Sequence, residues 1–170
     1  MKKYYITGVS GTGKSTLTEE FRKKGFNSID LDDGFCTWKN IGTGKEADIN
    51  ESDQPGFYEE NDWYCDLEKL YEFLKEQNEP IFIFGACANQ DSFLPFFDKI
   101  FLLKCSPEIF SERIDLRTNN NYGKLPFAKE NELHWFEEFN ASMLKKGAIE
   151  INAENSIAQV ADEILAKSGE

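Results

Sequence analysis

Apolar residues fall into short runs of strand length, separated by stretches with helical spacing. Lys3–Thr7, Asn27–Leu31, Ile81–Phe84, Ile100–Leu103 and Ala148–Ile151 read as strands. Ile81–Phe84 and Ile100–Leu103 are apolar throughout, as in strands covered on both faces. Helical periodicity predicts helices over Lys14–Lys24, over Glu60–Glu76 (Trp63, Leu67, Leu70, Tyr71 and Leu74 on one stripe), over Asn131–Lys145 and over Ile157–Lys167. A further helix follows Pro107, since proline suits the first helical position, where its missing N–H is not needed. Strands alternating with helices imply a parallel sheet in α/β layers. Two segments, Asp33–Gly56 and Thr118–Lys129, fit no element, and loops of that length in a compact domain are commonly functional.

The first strand runs into Gly8-Val9-Ser10-Gly11-Thr12-Gly13-Lys14-Ser15, a complete GxxxxGK[ST] motif followed by an amphipathic helix. Glycines at 8, 11 and 13 let backbone N–H groups turn inward around phosphate oxygens, where a Cβ would obstruct the approach. The amides from Ser10 to Thr16 and the positive end of the helix would hold a nucleotide's phosphates. Lys14 would reach the β- and γ-phosphates, the Ser15 hydroxyl would ligate Mg²⁺, and Thr16 is a further contact.

Composition narrows the class. The 170 residues suit a single domain, 1–170. Nineteen basic against 31 acidic residues leave a net charge of −12, so no broad basic face is expected for a nucleic acid or an anionic membrane. A small phosphate ligand needs only a local site. The longest apolar stretch, Ile81–Ala88, is short for a bilayer span, and Met1–Ile6 lacks the run of a signal peptide. Cys36, Cys65, Cys87 and Cys105 show no CxxC spacing and read as reduced thiols of a cytoplasmic protein. His134, the one histidine, reads as structural, and no grouping has zinc-ligand spacing.

No NKxD-type guanine-reading segment occurs, and an AAA-type machine would need more chain. The sequence instead resembles the small P-loop kinases of the shikimate kinase, adenylate kinase and nucleoside kinase group. Four places carry the resemblance: Gly8–Ser15, Asp30-Leu31-Asp32, Gly85, and Arg113-Ile114-Asp115-Leu116-Arg117. It implies a P-loop NTPase three-layer sandwich, α/β, with a five-stranded parallel sheet, helices on both faces and a lid over about 118–129. It also implies ATP as donor, Mg²⁺ as cofactor, and a monomer or homodimer. Ile81–Phe84 ends in Gly85 without an acid, so the carboxylate usual at that strand end is missing. By resemblance Asp30 would approach Mg²⁺ through water, and Asp32 would take the proton of an acceptor hydroxyl. Arg117 would stack on adenine or contact phosphates, with Arg113 and Lys124 as further charge on lid closure. Adenine would lie against Ala153–Ser156 through backbone contacts, Asn155 included.

The acceptor region, about 32–75, contains no arginine, whereas shikimate and nucleoside monophosphate kinases hold a carboxylate or phosphate there with arginines. It offers Phe35, Trp38, Phe57, Tyr58, Trp63 and Tyr64 among carboxylates. That mixture suits a neutral or cationic acceptor such as a nucleoside, sugar alcohol or amino sugar, contacted by Asp32, Trp38 and Trp63, with Asn89 at the end of the third strand. A nucleoside monophosphate kinase using lysines, and an ATP-binding switch without transfer, are the alternatives.

Overall fold

The computed structural model describes residues 1–52, 54, 56–116 and 126–170, with residues 114 and 126–134 described by backbone alone. Five parallel strands form the main sheet: β1 (Lys3–Thr7), β2 (Asn27–Asp30), β5 (Ile81–Phe84), β6 (Lys99–Lys104) and β7 (Ile149–Asn152). Their order is β2-β5-β1-β6-β7. The chain leaves β1 toward β2 on one side and later places β6 on the other, so a crevice opens beyond the carboxyl end of β1.

Side-chain alternation sorts the core into two layers. On one face Tyr4 stacks on Phe82, and Phe82 and Phe84 pack against Phe21 of α1 (Lys14–Lys23), with ring centroids 4.7 Å apart for Tyr4–Phe82 and for Phe21–Phe82. Helix α6 (Ile157–Ser168) lies beside α1 on this face. On the other face Tyr5 meets the edge of Phe93 at 5.2 Å and donates its hydroxyl to Gln90 at 3.0 Å. The Gln90 amide in turn points at Met143 of α5 (Pro126–Lys145). Each aromatic side chain fully buried in this way stabilises the fold by about 1.5–3 kcal/mol. Helix α4 (Pro107–Leu116) starts at the predicted proline.

The segment between β2 and β5 departs from expectation. A two-stranded antiparallel hairpin, β3 (Cys36–Asn40) and β4 (Asn61–Cys65), stands apart from the main sheet, with a short helix α2 (Phe57–Glu60) leading into β4. The helix expected over Glu60–Glu76 therefore divides into β4 and α3 (Leu67–Glu76). Asp66 makes the division: its carboxylate accepts the Lys69 amide at 3.0 Å, capping α3. Trp63 matched the helical stripe by spacing, but pairing with Trp38 across the hairpin holds it in a strand. The stretch Asp33–Gly56, which fits no element by pattern, contains β3 and a 3₁₀ turn at Ile49–Glu51 among its described residues.

Candidate functional site

The Gly8–Ser15 loop wraps the carboxyl end of β1. Gly11 and Gly13 have φ of 81° and 96°, a left-handed backbone that favours glycine. A Cβ on Gly8 would lie 2.7 Å from both the Leu103 carbonyl and the Thr12 hydroxyl, so this position has no room for a side chain. The loop braces itself through the Thr12 hydroxyl, which donates to the Val9 carbonyl at 2.8 Å. Lys14 donates to the Gly8 and Val9 carbonyls at 2.6 and 3.0 Å, curling back over the loop. Helix α1 begins at Lys14 after an N-cap glycine, Gly13, that offers no capping side chain, whereas α3 and α6 are capped by Asp66 and Ser156. An uncapped first turn behind a glycine-rich loop is suited to an anion. Ser15 and Thr16 are exposed at this opening, and Ser10 lines the loop at intermediate exposure.

Two carboxylates adjoin it. Asp30, the last residue of β2, is buried at 5% exposure. Burial pushes its carboxyl above the ordinary range; the Ser15 hydroxyl hydrogen-bonded to it opposes this, the Asp32 charge adds to it, and the Lys14 charge opposes it. Lys14, Ser15, Asp30 and Asp32 therefore share one electrostatic neighbourhood, although they come from two elements. The backbone N–H of Asp32 donates to the Asp30 carboxylate at 3.1 Å, which turns the chain sharply after β2 and leaves the Asp32 side chain exposed. Trp63 of the hairpin donates its indole N–H to Asp32 at 2.9 Å. Trp38 packs against Trp63 at 5.3 Å between ring centroids, and also against Phe57 and Tyr58. An aromatic wall thus rises beside Asp32, with Asp62 next to Trp63 in sequence and half-buried, its carboxyl raised by desolvation.

The donor set fits a magnesium ion only in part. Asp30 and Ser15 are oxygen donors side by side, and among the described residues no group of three or more His, Cys, Asp or Glu could hold a metal. A hard cation here would complete its shell with water and phosphate oxygens.

Other expected residues make contacts within the chain. Arg113 donates to the Ala153 carbonyl at 2.8 Å, fastening α4 to the loop after β7. In that loop Ser156 caps α6, in a reciprocal box with Gln159, and Asn155 is exposed. Glu154 accepts the Ser106 amide at 2.7 Å, which holds its carboxyl below the ordinary range. Asn89 has both amide atoms engaged with the Cys65 backbone, at 2.9 and 2.8 Å, so it clips β4 to the end of β5. Arg117, Lys124 and residues 118–125 of the expected lid lie outside the described residues, while Pro126–Lys129 belong to α5. The side chain of His134 also lies outside them.

Sequence pattern did not disclose the hairpin or the Trp63–Asp32 bond. Gln90, which sits beside Asn89 past the end of the third strand and is by that position a candidate acceptor contact, is buried and accepts from Tyr5 and Thr7 at 3.0 and 3.3 Å, tying the β5–β6 connection beneath the crevice.

The sheet order, the loop and the uncapped helix define a P-loop nucleotide-binding domain in a three-layer α/β sandwich. A model of the AAA domain family matches residues 5–136, and the chain belongs to that family. A protein of Methanocaldococcus jannaschii named "Putative adenylate kinase" is 30% identical over 116 residues, 66% of this chain; the match spans 56% of that protein's length. Among solved structures, a shikimate kinase from Bacteroides thetaiotaomicron superposes with a TM-score of 0.67 at 19% identity, covering 99% of each chain. A gluconokinase from Sinorhizobium meliloti gives 0.57 at 18%, covering 99% of this chain and 91% of that one. A deoxyadenosine kinase from M. mycoides gives 0.55 at 19%, covering 99% and 100%. These likenesses establish the small P-loop kinase fold. No helix among the described residues is long and apolar enough to cross a membrane.

Proposed function

We propose that the protein is an ATP-dependent phosphotransferase moving the γ-phosphate to a hydroxyl of a small neutral or cationic acceptor, such as a nucleoside, sugar alcohol or amino sugar. One observation carries this reading: Asp32 stands between the phosphate loop and an aromatic wall, held by Trp63 at 2.9 Å. The loop amides and Lys14 bind the phosphate chain, Lys14 exchanging its loop carbonyls for phosphate oxygens. Asp32 orients the acceptor hydroxyl and takes its proton as the oxygen attacks the γ-phosphorus in line and ADP departs. Ser15, and Asp30 through water, would hold Mg²⁺, which offsets charge on the phosphates when bound. The rings of Trp38 and Trp63 give an acceptor an apolar or cation-binding face. Arg117 would add positive charge near the transferring group.

A second reading, a nucleoside monophosphate kinase, is favoured by the name of the M. jannaschii relative. Lys39, Lys45, Lys69 and Lys75 would then have to receive the acceptor phosphate. Lys69 is already bonded to the Gly34 carbonyl at 2.7 Å and lies over the Phe35 ring, and Lys75 pairs with Glu72 at 2.8 Å. Measuring ADP formed from ATP with a panel of nucleosides, monophosphates, sugar alcohols and amino sugars separates the readings. Acceptor-dependent ADP with an alcohol supports the first and with a monophosphate the second. ATP binding with no acceptor-dependent ADP leaves only a nucleotide-binding switch.

A further inference from the structure

Three of the four cysteines, distant in sequence, meet at the foot of the hairpin. Cys36 opens β3, Cys65 closes β4, and Cys87 follows β5; they are 5%, 3% and 8% exposed. Cys36 and Cys65 are direct cross-strand partners. The adjoining pair is hydrogen-bonded, since the Asp66 amide donates to the Phe35 carbonyl at 2.8 Å. Antiparallel pairs alternate, so Cys36 and Cys65 form a non-hydrogen-bonded pair, the class with side chains closest together and Cα atoms about 4.5 Å apart. The Cys65 amide and carbonyl confirm this by turning away from β3 to Asn89. That separation lies inside the range of about 4.4–6.8 Å spanned by disulfides. Cys87 is brought alongside because the Ala88 amide donates to the Trp63 carbonyl at 2.8 Å, adding the chain after β5 to the edge of β4.

We propose that Cys36 and Cys65 are a reversible oxidation site that a peroxide converts to a cross-strand disulfide, with Cys87 as the assisting third thiol. The three thiols act on one another electrostatically, and the Cys65 thiol also donates to the Asp66 carbonyl at 3.7 Å. The Cys36 and Cys87 thiols, turned toward the Cys65 sulfur, hold its thiol below the ordinary range, while Cys36 is pushed up by its two neighbours and by burial. That direction favours Cys65 as the thiol that ionises, and the thiolate is the form a peroxide oxidises. The Cys65 sulfur attacks one peroxide oxygen, the O–O bond breaks, and hydroxide leaves and is protonated to water. The Cys36 sulfur then attacks the resulting sulfenic acid; its proton and the departing hydroxyl form a second water as the S–S bond closes. In balance, two thiols lose two electrons and two protons, and one peroxide becomes two waters. Cys105 lies on the far side of the sheet order, after β6, and takes no part.

The full chain, treated with hydrogen peroxide and then alkylated with iodoacetamide in denaturant, is digested and mapped by mass spectrometry. The expected product is one peptide pair joined through Cys36 and Cys65, lighter by two hydrogens, with Cys87 and Cys105 alkylated and full reversal by dithiothreitol. Cys87→Ala should keep the link and form it more slowly; Cys36→Ala should lose it. A dominant link through Cys87 or Cys105, or no link while Cys65 is oxidised further, overturns the assignment. Because mapping of the unaltered chain alone decides, an unstable variant leaves the test intact.

Discussion

The indole N–H of Trp63 and the carboxylate of Asp32 are 2.9 Å apart although 31 residues separate them in sequence. One belongs to a hairpin strand and the other to a turn after the main-sheet strand β2. The bond sets the direction of the Asp32 carboxylate and ties the aromatic wall to the turn after β2.

If Asp32 is the base, Asp32→Asn lowers kcat by about 10²–10⁴-fold and leaves ATP affinity unchanged. Trp63→Phe removes only the donor. At this exposed site it should lower kcat by about fivefold, the equivalent of about 1 kcal/mol. Steady-state kinetics with the acceptor found in the panel checks both, and a normal kcat in Asp32→Asn removes that residue from the role.

Lys14 donates to the Gly8 and Val9 carbonyls of the loop, at 2.6 and 3.0 Å. Lys14→Ala should reduce turnover by at least about 10²-fold, by removing charge from the transferring phosphoryl group. Its melting temperature should move by no more than about 3 °C. Retained activity would refute the loop as the donor site; calorimetric titration with ATP gives the binding side.

The buried Asp30 has a stability signature. Its carboxyl is raised, so the folded state binds the proton more readily than the unfolded chain, whose value is near 3.8. Stability tied to this group is greatest at low pH and declines as pH rises through the folded pKa. Asp30→Asn keeps an oxygen to accept the Asp32 amide but removes the charge. The variant should therefore melt above the native protein at about pH 7, with the gain shrinking toward about pH 4. Thermal melts at the two pH values test this, and a variant melting lower at neutral pH contradicts it.

Gly85 packs against Leu31: a Cβ there would lie 2.8 Å from Leu31 Cβ and Cδ1, and Leu31 is fully buried. Gly85→Ala should destabilise by about 1–3 kcal/mol and lower the melting temperature by roughly 3–10 °C. Calorimetry measures it; an unchanged melt would mean that Leu31 turns aside freely.

Strand and helix alternation, the phosphate loop and the start of α4 at Pro107 were legible because each has a local cause: an apolar run, glycine conformation, a proline without an N–H. So was the proximity of Asp30 and Asp32, two residues apart at a strand end. The sequence by itself determined a parallel α/β sandwich with a phosphate cradle at the end of β1. Tertiary structure alone decided that Trp63 is in a strand facing Asp32 and not on a helix, that Asn89 clips β4, that Arg113 holds the Ala153 carbonyl, and that Cys36, Cys65 and Cys87 meet. The physical reason is the range of the interaction. Periodicity and capping act within a few residues, whereas cross-strand register and hydrogen bonds between distant elements exist only after the chain has closed its loops.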